Sequence, residues 1–347
     1  MGNHSAHVLI CYRNFSARNN SLYSHVGLGN NAMHTGKCLK RIDILCDVVA
    51  TWDGPTLELE LRARPTVTHC IIEAAFLSVD AVVRLLRTFP RVEFVIRCHS
   101  QVAFLQVEPG AIELFRRYLV LQDNELNLRV SANSERVCDF IRTGWNGECL
   151  YLPNLYDTER PERHMTRVAD SHKIRVSSFG AIRLMKNHST AAAAAILLAR
   201  RRGVDLEFYI SVNREEQGKG VVQSLRNMFA GVHGAALVEH PWCSWGEFRQ
   251  ACAHMDIGFQ VSMTETFNIT TADAVAEGVP VVVGEAIDWC PPHWRASIDD
   301  PESVARVANN LLADPTEGGI GIGFLRKYCA ASLDVWRGFL GLEGDRK

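Results

Sequence analysis

MTETFNITTADAVAEGVPVVVG, residues 263–284, holds strand, loop, helix and strand within one short stretch. A strand ends near Ser262, a polar loop follows, and a helix starts around Thr270. Gly278 and Pro280 close that helix before the Val-rich strand. A unit of this kind belongs to a parallel α/β sheet. The helix start leaves the backbone N–H groups of Phe267, Asn268, Ile269, Thr270 and Thr271 without helical partners, which is the geometry of a phosphate site. Glu265 stands in the loop and Asp273 eight residues later on the helix, and two carboxylates beside such amides suit sugar hydroxyls. Thr270 and Asp273 are also spaced as a capping box, so Asp273 reads either as a cap or as a ligand.

The same alternation runs outward along the chain. In the first half, strands are expected at His7–Tyr12, Ile44–Ala50, His69–Glu73, Glu93–Cys98, Leu126–Ser131 and Cys149–Pro153, with helices such as Ala32–Arg41 and Val79–Thr88 between them. In the second half, strands are expected at Ile174–Ser178, Leu206–Val212, Ala236–Glu239, Ile257–Val261 and Val279–Val283. Helices fall near Ser189–Arg202, Val221–Ala230, Trp245–His254, Thr271–Glu277 and Pro301–Ala313. Residues 157–172, charged and poor in large apolar side chains, read as a linker. The 347 residues therefore divide into an N-terminal Rossmann-like domain over 1–156 and a C-terminal one over 173–323, with 324–347 as a helix packing back on the first. Two such sheets facing each other would bring their carboxyl ends to one cleft, where open α/β folds bind ligands.

Composition narrows the function classes. With 47% hydrophobic and 22% charged residues the chain is ordinary globular protein, and 37 basic against 39 acidic residues give no field that would draw it to nucleic acid or anionic lipid. No apolar run approaches a membrane span or a signal-peptide core, and Ser5 falls one position short of a myristoylation motif. A cytoplasmic protein is expected. The eleven cysteines show no C-x-x-C spacing and read as buried thiols, and neither they nor the thirteen histidines form a metal-ligand pattern, so no metal is expected.

A second informative stretch is SSFGAIRLMKN, residues 177–187, in which Gly180, Arg183 and Lys186 follow a strand and precede a helix. Alone, Arg-x-x-Lys is more often a solvated basic turn. Together the two stretches resemble the retaining GT-B glycosyltransferases (the group 1, family 4-like enzymes): residues 263–284 resemble the family's E-x7-E segment, with Glu265 as first acid and Asp273 in place of the second. The resemblance implies that Glu265 lies beside the donor sugar and Asp273 at the ribose. It implies further that Arg183, Lys186 and the amides of Phe267–Thr270 hold the donor diphosphate. His99, just past the strand ending at Cys98, is the counterpart of a functional histidine of the first domain, though a structural histidine fits the same place; Glu73 is a weaker candidate. The Gly-rich loop containing Gly27, Gly29 and Asn30 is placed between donor and acceptor, with the insertion Arg13–Ser24 beside it. His240 and Trp242 fall at the nucleotide base.

The activity implied is transfer of a hexosyl unit with retention from a nucleoside-diphosphate sugar, most simply UDP-linked, to an acceptor hydroxyl, with no metal and no cofactor beyond that co-substrate. The acceptor stays open among a glycan, a lipid-linked sugar and a hydroxymethylated base in phage-type DNA. The DNA alternative calls for a basic rim, for which Arg13, Arg18, Lys37, Lys40 and Arg41 are the candidates. A non-catalytic nucleotide-sugar-binding scaffold of the same fold is the alternative of another class. GKG at 218–220 and GGIGIG at 318–323 lack the strand a phosphate loop requires and read as connectors.

Overall fold

The structure is a computed structural model and describes residues 6–13, 27–106, 108–159, 172–214, 218 and 220–342. The chain divides into two compact units, Met1–Asp157 with Cys329–Lys347, and Thr158–Tyr328.

In the first unit, strands β1 (His7–Arg13), β2 (Leu45–Thr51), β3 (His69–Glu73), β4 (Glu93–Cys98), β5 (Leu128–Ala132) and β6 (Leu150–Tyr151) alternate with six helices. These are α1 (Gly27–Lys40), α2 (Gly54–Arg62), α3 (Val79–Thr88), α4 (Val102–Leu105), α5 (Pro109–Gln122) and α6 (Glu135–Gly144). The sheet is parallel throughout, in the order β2-β1-β3-β4-β5-β6. Its strands are apolar on both faces because helices cover both. Along β1, Leu9 and Cys11 pack with α2 and α3 residues such as Leu57 and Leu85, while Val8 and Ile10 pack with Ala32 and Leu39 of α1. The second face also receives Trp336, which is fully buried and donates its indole N–H to the Pro153 carbonyl at 2.9 Å.

The second unit repeats the plan with β7 (Lys173–Ser178), α7 (His188–Arg202), β8 (Asp205–Ser211), α8 (Val221–Phe229), β9 (Ala235–His240), α9 (Trp245–Ala253), β10 (Ile257–Gln260), α10 (Ile269–Ala276), β11 (Val281–Val283), α11 (Pro301–Ala313) and α12 (Glu317–Phe339). From Cys329 onward, α12 belongs to the first unit. The order β11-β10-β7-β8-β9 is that of a Rossmann sheet, with the chain reversing its direction of travel between β7 and β10. The fold class is thus α/β, with two Rossmann-like units.

Three expectations are corrected. Gly27, Gly29 and Asn30 are not a loop but the opening of α1, and Gly29 lies so close to the Tyr12 ring that a Cβ would come within 3.0 Å of it. Residues 318–323 are not a connector but part of α12. A Cβ on Gly318 would fall 2.2 Å from the Gly278 carbonyl oxygen and one on Gly321 2.3 Å from Trp294, so these glycines let the helix pack against its neighbours, outweighing their poor helix propensity. Among the described residues, the members of the expected basic rim do not gather at one place either. Arg13 ends β1 at the carboxyl edge of the sheet, whereas Lys37 and Lys40 lie in the last turn of α1, a 14-residue helix and hence roughly 20 Å long. Arg41, beyond it, is paired with Asp157. Arg18 and the rest of the insertion from residue 14, most of the linker, and Lys219 lie outside the described residues.

Candidate functional site

In an open α/β sheet the ligand crevice lies at the carboxyl ends of the strands where the winding reverses. In the second unit that point lies between β7 and β10, and the segments that leave these two strands are Phe179–Asn187 and Val261–Asn268. Side chains stitch the two segments together. Gln260 donates to the Phe179 carbonyl at 2.9 Å, Asn268 donates to the Gln260 amide oxygen at 3.0 Å, and Asn187 donates to the Val261 carbonyl at 3.2 Å. Between their backbones, the Met263 amide donates to the Met185 carbonyl at 2.8 Å.

Gly180 sits on this seam with φ of +119°, a conformation open to glycine and strained for other residues. The atoms nearest its Cβ position are Thr270 Oγ1 at 3.7 Å and the Lys186 Cε and Nζ at 3.8 and 3.9 Å. Lys186 forms an ion pair with Glu265, Nζ to Oε1 at 2.5 Å, with both side chains largely covered. Gly180, Lys186, Glu265 and Thr270 are thereby brought to one place. Arg183 precedes the 3-10 turn Leu184–Lys186 and is half-buried.

The capping expectation is corrected here. The N-cap of α10 is Asn268, in the left-handed region at φ 59°, and its side chain accepts from the Thr271 amide at 3.0 Å. Thr271 is therefore capped, and the leading amides of Ile269 and Thr270 are those left to an anion. Phe267 is buried, stacked on Trp289 and Tyr328, and its carbonyl accepts from the Trp289 indole at 2.7 Å. It anchors the loop. Asp273 is also buried and does not cap α10; its Oδ1 accepts from the Trp245 indole at 3.0 Å.

Next to the seam, His188 opens α7 with its Nδ1 3.0 Å from Ser178 Oγ. Burial, and after it the nearby Lys186 charge, pushes its pKa down to about 4. On the other side, His240 ends β9, its ring edge-on to Phe179 at 5.8 Å, and Trp242 lies under the Arg214 guanidinium at 4.8 Å.

In the first unit the winding reverses between β1 and β3, and the residue at the end of β3 is Glu73. It takes part in a closed ring of hydrogen bonds. Arg97 NH1 donates to both Glu73 oxygens at 2.9 and 3.1 Å, and Arg97 NH2 donates to Asn154 Oδ1 at 2.6 Å. Asn133 donates to the same Asn154 oxygen at 3.1 Å and to His99 Nδ1 at 3.2 Å, and His99 Nε2 donates to Glu73. Glu73 and Arg97 are fully buried. Burial alone would raise the Glu73 pKa, but the Arg97 charge and the hydrogen bonds from His99 and Arg97 outweigh it and hold the carboxyl below its usual range. Burial lowers His99, and the Arg97 charge adds to this against the pull of Glu73, so the ring is neutral and its tautomer is fixed. Ala74, directly after Glu73, has φ of 78°, a strained value for an alanine at the edge of this ring.

Sequence reasoning located His99 and Glu73 but missed Arg97, Asn133 and Asn154, whose spacing in the chain carries no motif. In the second unit it missed Gln260, Asn187 and Arg214. Among the described residues, no three His, Cys, Asp or Glu side chains gather at metal-binding range, and no helix is long and apolar enough to cross a membrane.

No protein-family model and no curated protein sequence matches the chain. Solved structures do. Sucrose-phosphate synthase from Thermosynechococcus elongatus superposes with a TM-score of 0.70 at 13% identity, over 97% of this chain and 99% of the other. A UDP-forming α,α-trehalose-phosphate synthase from Burkholderia xenovorans gives 0.62 at 10% identity, over 96% and 98%. HepE of Anabaena, in complex with UDP and glucose, gives 0.61 at 13% identity, over 97% and 99%. Near full coverage of both chains in each case, with two parallel sheets in one chain, identifies the fold as that of the GT-B glycosyltransferases.

Proposed function

We propose that this chain is a retaining glycosyltransferase that moves a hexosyl unit from a UDP-linked sugar to an acceptor hydroxyl without a metal. The observation that carries the reading is the gathering of Gly180, Lys186, Thr270 and Glu265 at the switch point of the second sheet, in front of the leading amides of α10. A diphosphate seated there would be met by backbone N–H groups, a glycine that lets it approach, and a lysine that offsets the charge developing as the sugar departs. Arg183 stands in the same turn as the second cation of the reading.

Glu265, on the same lysine, falls beside the donor sugar, and Asp273, held by Trp245, is the ribose-side carboxylate. The departing phosphate accepts the acceptor's proton, so the chemistry needs no separate general base. His99, whose ring is fixed by Glu73 and Asn133, is the first-unit histidine of this reading. The likeness to structures that hold UDP supports a UDP-linked donor within this reading.

The test is a metal-free screen of UDP, GDP, ADP and their sugar conjugates by thermal shift and calorimetry. Anomeric analysis of any product by NMR follows. Selective UDP binding, slow hydrolysis of one UDP-sugar and retention at the anomeric carbon are expected. A folded sample that binds no nucleotide would refute the reading.

A further inference from the structure

Cys138 and Cys149 meet at the β6 edge of the first sheet. Cys138 stands on α6, and Cys149 directly precedes β6. They are 11 positions apart and carry no motif, yet the Cys149 thiol donates to the Cys138 sulfur at 3.4 Å. The two sulfurs need to close by only about 1.4 Å to reach bonding distance. The Leu150 carbonyl lies against both, 3.6 Å from the Cys138 sulfur and 3.9 Å from that of Cys149.

The surroundings set this pair apart from other thiols of the same unit. Cys11 and Cys70 are also hydrogen-bonded to each other, but they lie on β1 and β3, strands paired on both sides, and both are fully buried. Cys98 shares the cluster of Cys138 and Cys149, yet its own S–H is turned to the Ser100 carbonyl at 3.5 Å. The β6 strand, by contrast, has two residues and lies at the end of the sheet beside β5, and the turn before it passes through Asn146 in the left-handed region at φ 51°. Such an edge opens at far lower cost than central strands do. The hydrogen bond from Cys149 lowers the Cys138 pKa, with burial opposing and the Arg142 charge helping; the same bond, with burial, raises Cys149. The pair thus holds one nucleophilic sulfur and one that keeps its proton.

We propose that Cys138 and Cys149 are a reversible oxidation site, at which hydrogen peroxide closes a disulfide that staples α6 to the edge of the sheet. As β6 frays, the Cys138 thiolate attacks one peroxide oxygen, the O–O bond breaks, and hydroxide leaves to take up the proton that Cys138 gave up. The Cys149 sulfur then attacks the sulfur of the Cys138 sulfenic acid. The S–S bond forms, the S–O bond breaks, and the Cys149 proton leaves with that oxygen as water. Two thiols lose two electrons, one peroxide gains them, and two waters result. A dithiol reductant reverses the step by thiol–disulfide exchange. Because the bond also restrains the unfolded chain, the oxidised protein is the more stable form.

Trypsin cuts after Arg136 and Arg142, so Cys138 leaves on Val137–Arg142 and Cys149 on the peptide that begins at Thr143. Folded protein treated with hydrogen peroxide, alkylated and mapped without reductant should show these two peptides joined, lighter than their sum by two hydrogens, and dithiothreitol should separate them. Oxidised wild type should melt roughly 5 °C above the reduced form, a gain absent from Cys138→Ser and Cys149→Ser treated alike. Cys149→Ser should retain a Cys138 sulfenic acid that dimedone labels, whereas Cys138→Ser should leave Cys149 unlabelled. The peptide map needs no variant, so it decides even where a serine substitution weakens the fold. Peptides that stay separate, that join only once the chain is unfolded, or that join the Cys98 peptide instead overturn the site. Equal melting of the two forms overturns the staple, and dimedone on Cys149 of Cys138→Ser overturns the assigned nucleophile.

Discussion

Replacing Glu265 by Gln should tighten nucleotide binding while it slows turnover. In the free protein Lys186 is not waiting for a phosphate; it is paired with Glu265 at 2.5 Å, and the two side chains are only 13% and 14% exposed. At that separation and an effective dielectric constant of about 20, the gross attraction is about 7 kcal/mol, most of which desolvation cancels. Exposed pairs retain up to about 1 kcal/mol and buried ones resist breaking by several, so a net competition of about 1.5 kcal/mol is taken for this largely covered pair at the cleft surface. A diphosphate must overcome that competition in the wild type and also tolerates the carboxylate's own charge. The neutral amide of the Glu265→Gln variant removes both costs, and about 1.4 kcal/mol corresponds to tenfold in Kd. Calorimetric titration with UDP should therefore show roughly tenfold tighter binding by Glu265→Gln, with a weaker dependence on salt. Turnover of the UDP-sugar should fall about a hundredfold or more, as when one preorganised group beside the reacting centre is lost. Unchanged or weaker UDP binding by a folded Glu265→Gln protein would refute the argument, since Lys186 would then not be the contested cation.

Three further outcomes follow from the geometry. Gly180→Ala meets no clash, its nearest neighbours being 3.7–3.9 Å away, but the left-handed φ makes it cost about 1–3 kcal/mol; thermal unfolding should show that loss, and UDP affinity should drop with it. His188 is neutral in the folded protein with a pKa of about 4 against 6.5, so as pH falls below 6.5 the unfolded chain takes up the proton first. Stability should decline by about 3 kcal/mol between pH 6.5 and 4, and urea titrations of His188→Gln should lack that part of the slope. Arg97→Met leaves the buried Glu73 without its guanidinium and should cost about 3–5 kcal/mol, whereas Arg97→Met with Glu73→Gln should cost clearly less than the sum of the two single changes; strict additivity in denaturant unfolding would contradict the closed ring.

Much of the fold was legible because each strand is an apolar run and each helix an amphipathic or alanine-rich one. The expected strands at His69–Glu73 and Glu93–Cys98 and the helices at Val79–Thr88 and Pro301–Ala313 match the observed bounds. Where local pattern and tertiary packing disagreed, packing decided. Gly318–Gly323 has the composition of a connector, yet α12 needs glycines there because Gly278 and Trp294 occupy the space of a side chain. Thr270 and Asp273 have the spacing of a capping box, yet Asn268 takes the cap because asparagine tolerates the left-handed turn that ends the loop, and Asp273 is then carried inward to Trp245. Lys186 and Glu265 were legible as candidate site residues, but their pairing was not, since 79 residues separate them. Only the adjacency of β7 and β10 brings them together.

That adjacency also separates what the two units do at their switch points. In the second, the groups at the crevice are leading amides, a glycine and an ion pair, each of which, in the function proposed above, gains by meeting a diphosphate. In the first, Glu73, Arg97, Asn154, Asn133 and His99 close on one another with charge balanced, so a ligand reaching the Glu73 carboxylate or a ring nitrogen of His99 must open a bond already made. His99 has both ring nitrogens committed, one as donor and one as acceptor, and a hydroxyl could bind it only by displacing Asn133 from Nδ1 or Glu73 from Nε2. Of the two, Asn133 is the cheaper to displace, because releasing Glu73 would weaken the hold on a buried carboxylate. A hydroxyl that binds His99 is thus expected to do so through Nδ1, with the Nε2–Glu73 bond kept. His99→Gln, which can still donate toward Glu73, should retain stability within about 1 kcal/mol of wild type by the usual value of one hydrogen bond. Any loss of turnover beyond that then measures what the imidazole does for substrate, and a large loss of stability with turnover intact would mark the histidine as a structural member of the ring.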